Sequence, residues 1–353
     1  MSREPRGLAT SALEGWLRSE HPALVGDGSL TATLITGGRS NLTYRIDGGP
    51  VPFVLRRPPL GHVLASAHDM AREFRVISAL ANSAVPVPAA LAFRDDADGV
   101  AGVGTPFYLM EFVDGVVLSS PAANRPFGPE QLRELSFDLV RTLAELHAID
   151  PATVGLDDFG RASGYLDRQV RRWGEQYEKS HSRDLPELDA LQSALREHVP
   201  ETRSSSLVHG DFRLDNAIVR VDETGRPRIA AILDWEMATI GDSYTDLGLL
   251  GLYWDIRAIS DQAAAVAASA VDPAAGYPSF AELLDVYAVA RGGVLPDLSW
   301  YLAFAAYKLA IILEGIHLRF RAGETVGPGF DTIGSLVTPL AEAGLRFLSE
   351  GND

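Results

Sequence analysis

Between residues 30 and 57 apolar and polar positions alternate with a period of two, in LTATLIT, LTYRI and PFVLR, which are separated by Gly37-Gly38 and by Asp47-Gly48-Gly49. Such alternation sends successive side chains to opposite faces of a pleated strand, so the stretch predicts three strands joined by a glycine loop and a tight turn. Before it, Ser11 followed by Glu14 has capping-box spacing and opens an amphipathic helix predicted to end near His21-Pro22. After it, Ser66 is the predicted cap of a helix over SAHDMAREFRVISAL, which stops before the VPVP stretch because a residue preceding proline is pushed out of the helical region. AALAF and FYLMEFV flank the turn-rich DDADG as two further strands. Together these elements predict an antiparallel sheet of about five strands with one inserted helix.

Past Asp114-Gly115 the period changes to that of a helix. Helical segments are predicted at about 129–148, 161–180, 186–198, 243–256, 279–292, 297–321 and 330–349, interrupted by short strands around Leu207, Ala217 and Ile229. The predicted fold class is α+β, with a small β-rich lobe over 1–113 and a larger, mostly helical lobe over 114–353. The apolar run LSWYLAFAAYKLAIILEGI, 298–316, approaches membrane-spanning length. Lys308 and Glu314 interrupt it, and charges near mid-span are costly in hydrocarbon, so it is expected to be a core helix.

Charge narrows the partners. With 47 acidic and 31 basic residues the formal net charge is -16, which repels polyphosphate chains and anionic headgroups, so neither nucleic acid nor a membrane is an expected partner. The absence of cysteine excludes disulfides, thiol nucleophiles and Fe–S ligation, and the start MSREPRGLATSALEGWL lacks a basic-then-apolar signal pattern. The expected location is cytoplasmic. Composition sets no oligomeric state.

The densest chemistry lies in SSLVHGDFRLDNAIV, 205–219, where polar residues crowd a loop between two apolar dipeptides. A second strand, RIAAILDW, ends in Asp234. A loop after one strand and the end of the next can bring Asp211, Asn216 and Asp234 to one edge. Carboxylate and amide oxygens are the hard ligands Mg²⁺ takes when nucleotide phosphates supply others, and Asp211 is then free to accept or orient the proton of an attacking hydroxyl.

His209 to Asn216 fits H-x-D-x-x-x-x-N, and Ile232-Leu233-Asp234-Trp235-Glu236 follows where a kinase places its metal-binding aspartate. In both respects the chain resembles the aminoglycoside phosphotransferase and choline kinase family, which shares the bilobal protein-kinase-like fold. The resemblance runs over roughly residues 27 to 350. It implies an ATP- and Mg²⁺-dependent small-molecule kinase, with GTP as the alternative nucleotide, acting on a substrate hydroxyl. Asp211 is the implied catalytic residue, with Arg213 offsetting charge on the transferring phosphoryl group, and Asn216 and Asp234 are the implied metal ligands. The loop Gly37-Gly38-Arg39-Ser40-Asn41 is placed to cover phosphates, with Gly38, Ser40 and Asn41 as nucleotide contacts. Arg56, with Arg57 as the alternative, stands where the family carries lysine, and Glu73 is its expected carboxylate partner. Glu111 and Val113, in Met110-Glu111-Phe112-Val113, are placed to meet an adenine edge. A narrower likeness, in FVLRRPPLGHVLASAHDMAREFRV and YLAFAAYKLAIILEGIHLRFRAG, is to the kinase-like module of some acyl-CoA dehydrogenase relatives, and it points to hydroxyacyl groups carried on coenzyme A.

Other residues have plainer readings. His209 is expected to brace its loop, Asp242 and Asp246 to cap a helix and support a loop, and Asp215 to be a loop polar group. Trp235, Tyr253, Trp254, Trp300, Tyr301 and Tyr307 are expected in the core, against the alternative of a cage for a quaternary ammonium. Three rivals to the hydroxyacyl kinase are an aminoglycoside or choline-type kinase, a nucleotide-binding pseudokinase and a metal-dependent phosphohydrolase. The last requires more His and Asp ligands than this chain offers.

Overall fold

The computed structural model describes residues 5–35, 41–60, 69–202, 205–267, 269–324 and 330–351. The chain divides into two compact units, one formed by Met1–Asp114 with Ala230–Glu236, the other by Gly115–Ile229 with Met237–Asp353.

The smaller unit is built on β1 (Thr31–Leu34), β2 (Leu42–Asp47), β3 (Phe53–Arg57), β4 (Ala90–Arg94) and β5 (Phe107–Glu111). They form an antiparallel sheet in the order β1-β2-β3-β5-β4. Period two sorts the faces. Tyr44, Ile46, Phe53, Leu55, Phe107 and Leu109 pack against Leu13, Trp16 and Leu17 of α1 (Thr10–Glu20) to form the core. The opposite face carries Arg56 directly across from Tyr108, next to α2 (Met70–Leu80).

Both helix starts differ from expectation. Ala9 occupies the cap of α1 without a side-chain bond, and Glu14 instead accepts from the Leu30 N–H at 3.0 Å and from Arg18. The Ser11–Glu14 box therefore does not form, because the carboxylate gains a charged partner and the amide of the residue before β1. Asp69 caps α2 by accepting the Arg72 N–H, while the proposed cap Ser66 lies outside the described residues.

The larger unit holds α3 (Pro129–Ala148), α4 (Tyr165–Ser180), α5 (Pro186–Glu197), α6 (Tyr244–Trp254), α7 (Ile256–Ile259), α8 (Asp261–Val266), α9 (Phe280–Arg291), α10 (Ser299–Arg321) and α11 (Val337–Glu350). Two short strands, β6 (Val116–Val117) and β8 (Ala217–Val221), pair antiparallel, and β9 (Pro227–Ile232) follows β8 in the same sheet. A separate two-stranded sheet joins β7 (Ser206–Val208) antiparallel to β10 (Thr239–Gly241).

The apolar helix α10 is long enough to cross a membrane, yet most of its side chains are buried against α4, α5, α6 and α11. Gly248 lets α6 approach α10 closely, since a Cβ there would collide with the Tyr301 carbonyl. The two charges in the run each find a polar partner inside the unit. Glu314 is fully buried and pairs with Arg183 at 2.7 Å while accepting from Ser182 at 2.9 Å, and Lys308 donates to the Gly210 carbonyl at 2.7 Å.

Candidate active site

Two side-chain constellations collect the sequence-selected residues, one in each unit. In the smaller unit Arg56 projects from β3 to the Glu73 carboxylate on α2, with Nε 2.9 Å from Oε2. Glu73 is only 1% exposed, and it also accepts from the Tyr108 hydroxyl at 2.9 Å and from the Asn41 amide at 3.0 Å. Burial pushes the Glu73 carboxyl up, against the pull of the guanidinium. The same Asn41 amide reaches Glu236 at 3.2 Å, so Asn41 lies between the α2 carboxylate and the segment after β9.

Arg56 has a second partner, Asp234, through Nη2. Asp234 is the one non-glycine among the described residues with positive φ, at 67°. That left-handed conformation costs of order 1–3 kcal/mol outside glycine, and such costs concentrate where a side chain must be aimed. Trp235 anchors the turn from the other side, 2% exposed and donating its indole N–H to the Ile232 carbonyl.

Arg57, the alternative cation, faces the other way. Only 4% exposed, it donates to the carbonyls of Gly7, Pro58 and Val103, and its role is to tie the N-terminal segment and a loop to β3. Glu73 pairs with Arg56. At the end of β5, Glu111 spends its N–H on the Ala89 carbonyl and its carboxylate on the Ala89 N–H, whereas the Val113 amide has no partner among the described residues. Gly38 and Ser40 lie outside the described residues.

In the larger unit the loop after β7 carries the second constellation. Asn216 ends a 3-10 turn, Leu214–Asn216, that brings its amide back to Asp211, where Nδ2 donates to both the carboxylate and the main-chain carbonyl at 2.9 Å. With Nδ2 spent on Asp211, Asn216 Oδ1 is the atom left for a ligand.

Arg213 turns toward Asp215, the Ala267 carbonyl and the face of Tyr253, whose centroid is 4.4 Å from the guanidinium carbon. Only Nε faces Asp211, at 3.9 Å, so Arg213 brings charge to that carboxylate rather than a directed hydrogen bond. Burial pushes the Asp215 carboxyl up to about 7, with Asp211 adding to the effect and Arg213 opposing it.

His209 is fully buried, its Nδ1 accepts the Asp211 N–H at 3.2 Å, and its ring packs edge-on against Phe212. Asp246 supports the loop from below by accepting the N–H groups of His209 at 2.7 Å and Gly210 at 2.8 Å, and it takes a further contact from His147 Nε2 at 3.1 Å. Burial works to raise the Asp246 carboxyl, but His147, His209 and the donated N–H groups hold it below the usual range. The expected brace roles of His209 and Asp246 are thus visible as contacts. Trp235, Trp254, Trp300, Tyr301 and Tyr307 are core residues, and Tyr253 stacks on Arg213, so the aromatics build no cage.

Sequence reasoning passed over Tyr108, Glu236 and Lys308. The first had a signal: period two on β5 puts Tyr108 on the face of Arg56. Glu236 is drawn in by a contact across nearly two hundred residues, which no local pattern encodes.

Among the described residues no cluster of three or more His, Cys, Asp or Glu side chains could hold a metal. Asn216 Oδ1 in the larger unit and the Asp234 carboxylate in the smaller are each hard oxygen donors of the kind Mg²⁺ takes alongside waters and phosphates.

The profile of the phosphotransferase enzyme family, APH, matches residues 31–283. Acyl-CoA dehydrogenase family member 11 of Rattus norvegicus is 34% identical over 347 residues, which is 95% of this chain and 42% of that protein, so the chain spans about two-fifths of the length of such relatives. The crystal structure of a candidate aminoglycoside phosphotransferase of Ralstonia eutropha is 32% identical, covers 97% of this chain and 98% of its own, and superposes with a TM-score of 0.81. A thermostable mutant of an aminoglycoside phosphotransferase, in ternary complex with AMP-PNP and hygromycin B, shares the fold at 16% identity and a TM-score of 0.59, over 96% of this chain and 99% of its own. The α+β kinase-like fold expected from the sequence is the one these neighbours have. By the span of the profile match and by the near-complete likeness to the Ralstonia structure, this chain belongs to the phosphotransferase enzyme family.

Proposed function

We propose that the protein is an ATP- and Mg²⁺-dependent small-molecule kinase that transfers the γ-phosphoryl group to a substrate hydroxyl, with a hydroxyacyl thioester of coenzyme A as the acceptor. The observation that carries this reading is the loop in which Asn216 fixes the Asp211 carboxylate at 2.9 Å while keeping its own Oδ1 available. Asp211 takes the proton of the acceptor hydroxyl as its oxygen bonds to the γ-phosphorus, the bond to the bridging oxygen breaks, and ADP leaves. Asn216 Oδ1 and Asp234 would hold the Mg²⁺, which when bound offsets charge on the β- and γ-phosphates. Arg56, aligned by Glu73 and Tyr108, supplies fixed positive charge for the nucleotide phosphates, and Val113 offers a main-chain donor for the base. The nucleotide in this reading is supported by the AMP-PNP-bound neighbour, and the acyl acceptor by the likeness to acyl-CoA dehydrogenase family member 11 of rat.

One contact favours a second reading. Arg56 stands where the family carries lysine and contacts the Asp234 carboxylate, and an arginine at that position is what a nucleotide-binding pseudokinase would explain.

Purified protein with Mg²⁺, ATP or GTP and a panel of 3- and 4-hydroxyacyl-CoA thioesters, choline and aminoglycosides separates these readings, with phosphorylated product followed by mass. Acceptor-dependent product from the thioesters is the expected result, and it should vanish in Asp234→Ala protein that keeps the wild-type circular dichroism spectrum. Product from choline or an aminoglycoside alone would overturn the acyl acceptor. Nucleotide binding without product from any acceptor would favour the pseudokinase.

A further inference from the structure

The loop that carries Asp211 is gripped from two sides. Gly210 has φ of +83°, and a Cβ there would stand 2.8 Å from the Met237 carbonyl, so the peptide planes around it are confined to one arrangement. On one side the two oxygens of Asp246 take the N–H groups of His209 and Gly210, and His147 with the Tyr287 hydroxyl stands behind that carboxylate. On the other side Lys308 donates Nζ to the Gly210 carbonyl at 2.7 Å, the carbonyl of the peptide whose amide belongs to Asp211. The Lys308 stem comes from the middle of α10, and its ammonium lies 5.4 Å from the centre of the Trp173 ring on α4. Together with Phe304, Leu249, Tyr165, Gln169 and Thr245 it lines a cavity of about 20 Å³, room for a single water.

An ammonium placed in this way is an expensive way to fill space. Among the described residues it forms no ion pair, and its one hydrogen bond goes to a neutral carbonyl. Burial pulls Lys308 below the ordinary lysine value, while the Asp211 and Asp246 carboxylates pull it back. A methionine would fill the same volume at lower cost, so the charge is retained for something other than stability.

We propose that Lys308 is a positioning residue for the phosphoryl-transfer step, holding the Gly210–Asp211 peptide so that the Asp211 carboxylate points at the acceptor hydroxyl. The proposal rests on the reading of Asp211 given above. Lys308 touches neither nucleotide nor acceptor in this role, and its effect belongs in kcat. Misplacement of a reacting group by about 1 Å costs on the order of a hundredfold in rate, which sets the scale.

The test compares wild type, Lys308→Met and Lys308→Arg by steady-state kinetics, by thermal melting and by hydrogen–deuterium exchange of the peptide covering 207–216 in nucleotide-free protein. The expected result for Lys308→Met is a kcat lowered about 10- to 100-fold with the nucleotide KM unchanged within about threefold, faster exchange in the 207–216 peptide, and a Tm no lower than wild type. Lys308→Arg, which keeps the charge and a donor, should recover part of both the rate and the protection. An unchanged kcat, a change confined to KM, or a lower kcat with unaltered exchange would overturn the proposal. A wild-type protein without transfer activity would refute the reading of function instead, and the exchange experiment would still decide whether Lys308 holds the loop.

Discussion

The Arg56–Glu73 pair offers the sharpest energetic test of the smaller unit, because its two side chains are 12% and 1% exposed. In Glu73→Gln the amide must replace one carboxylate oxygen. Placed at Oε2, the NH₂ group meets the Tyr108 hydroxyl and the Arg56 guanidinium, and placed at Oε1 it meets the Asn41 NH₂. Either rotamer sets donors against donors and leaves Arg56 with Asp234 as its one remaining carboxylate. Removing one member of a buried pair costs about 3–5 kcal/mol, which at about 2–4 °C per kcal/mol lowers Tm by roughly 6–12 °C at the lower cost. Arg56→Met should cost a similar amount, because Glu73 is then buried without its counter-ion. With both changes together neither charge is stranded, so the double variant should be less destabilised than the sum of the singles by at least about 2 kcal/mol. Urea titration followed by tryptophan fluorescence measures all four proteins, with Trp16 and Trp235 reporting from the same unit. If the single effects add to within about 0.5 kcal/mol, the two residues are uncoupled and the account of this cluster fails.

Two further outcomes follow from the packing. Asp96 is fully buried and accepts the N–H groups of Ala101, Val103 and Gly104 as well as Arg94, so Asp96→Ala should lower stability by about 2–3 kcal/mol in urea titration. Although burial works to raise it, those donors hold the Asp96 carboxyl below its ordinary 3.8. Its stabilising effect is therefore present above pH 3.8 and is lost as pH falls through the lower folded value, and the Tm gap between variant and wild type should narrow only in that acid range. Gly248→Ala should cost about 1–3 kcal/mol by forcing α6 off the Tyr301 carbonyl of α10, and a Tm within 1 °C of wild type would show that the two helices are not in tight contact there.

Much of this architecture was legible because it is periodic. The strands around Tyr44, Leu55 and Leu109 alternate strictly, and the same alternation placed Arg56 opposite the core face where it meets Glu73. The 209–216 loop was legible for a different reason, since so many polar groups between buried dipeptides have no use in packing. What stayed hidden has physical causes. The cap of α1 was misassigned because the Glu14 carboxylate is claimed by Leu30, sixteen residues away and just before β1. Strands of two or three residues, β6 and β10, are too short for a period to register. Lys308 was read only as an interruption of an apolar run, because its partner is a main-chain carbonyl 98 positions earlier in the chain.

The smaller unit is not contiguous in sequence: Ala230–Glu236, with Asp234 and Trp235, belongs to it although Gly115–Ile229 intervenes. During synthesis at ~5–20 residues per second, a ribosome therefore runs on for roughly 6–23 seconds after finishing the sheet before it supplies the last seven residues of that unit. Throughout that interval Arg56 has Glu73 but lacks its second carboxylate, and Asn41 lacks Glu236. A nascent chain can bury its apolar sheet early yet completes its charge balance late. Any fragment cut near residue 114 inherits the same deficit, so a gene fusion or split-protein design should place its break beyond residue 236.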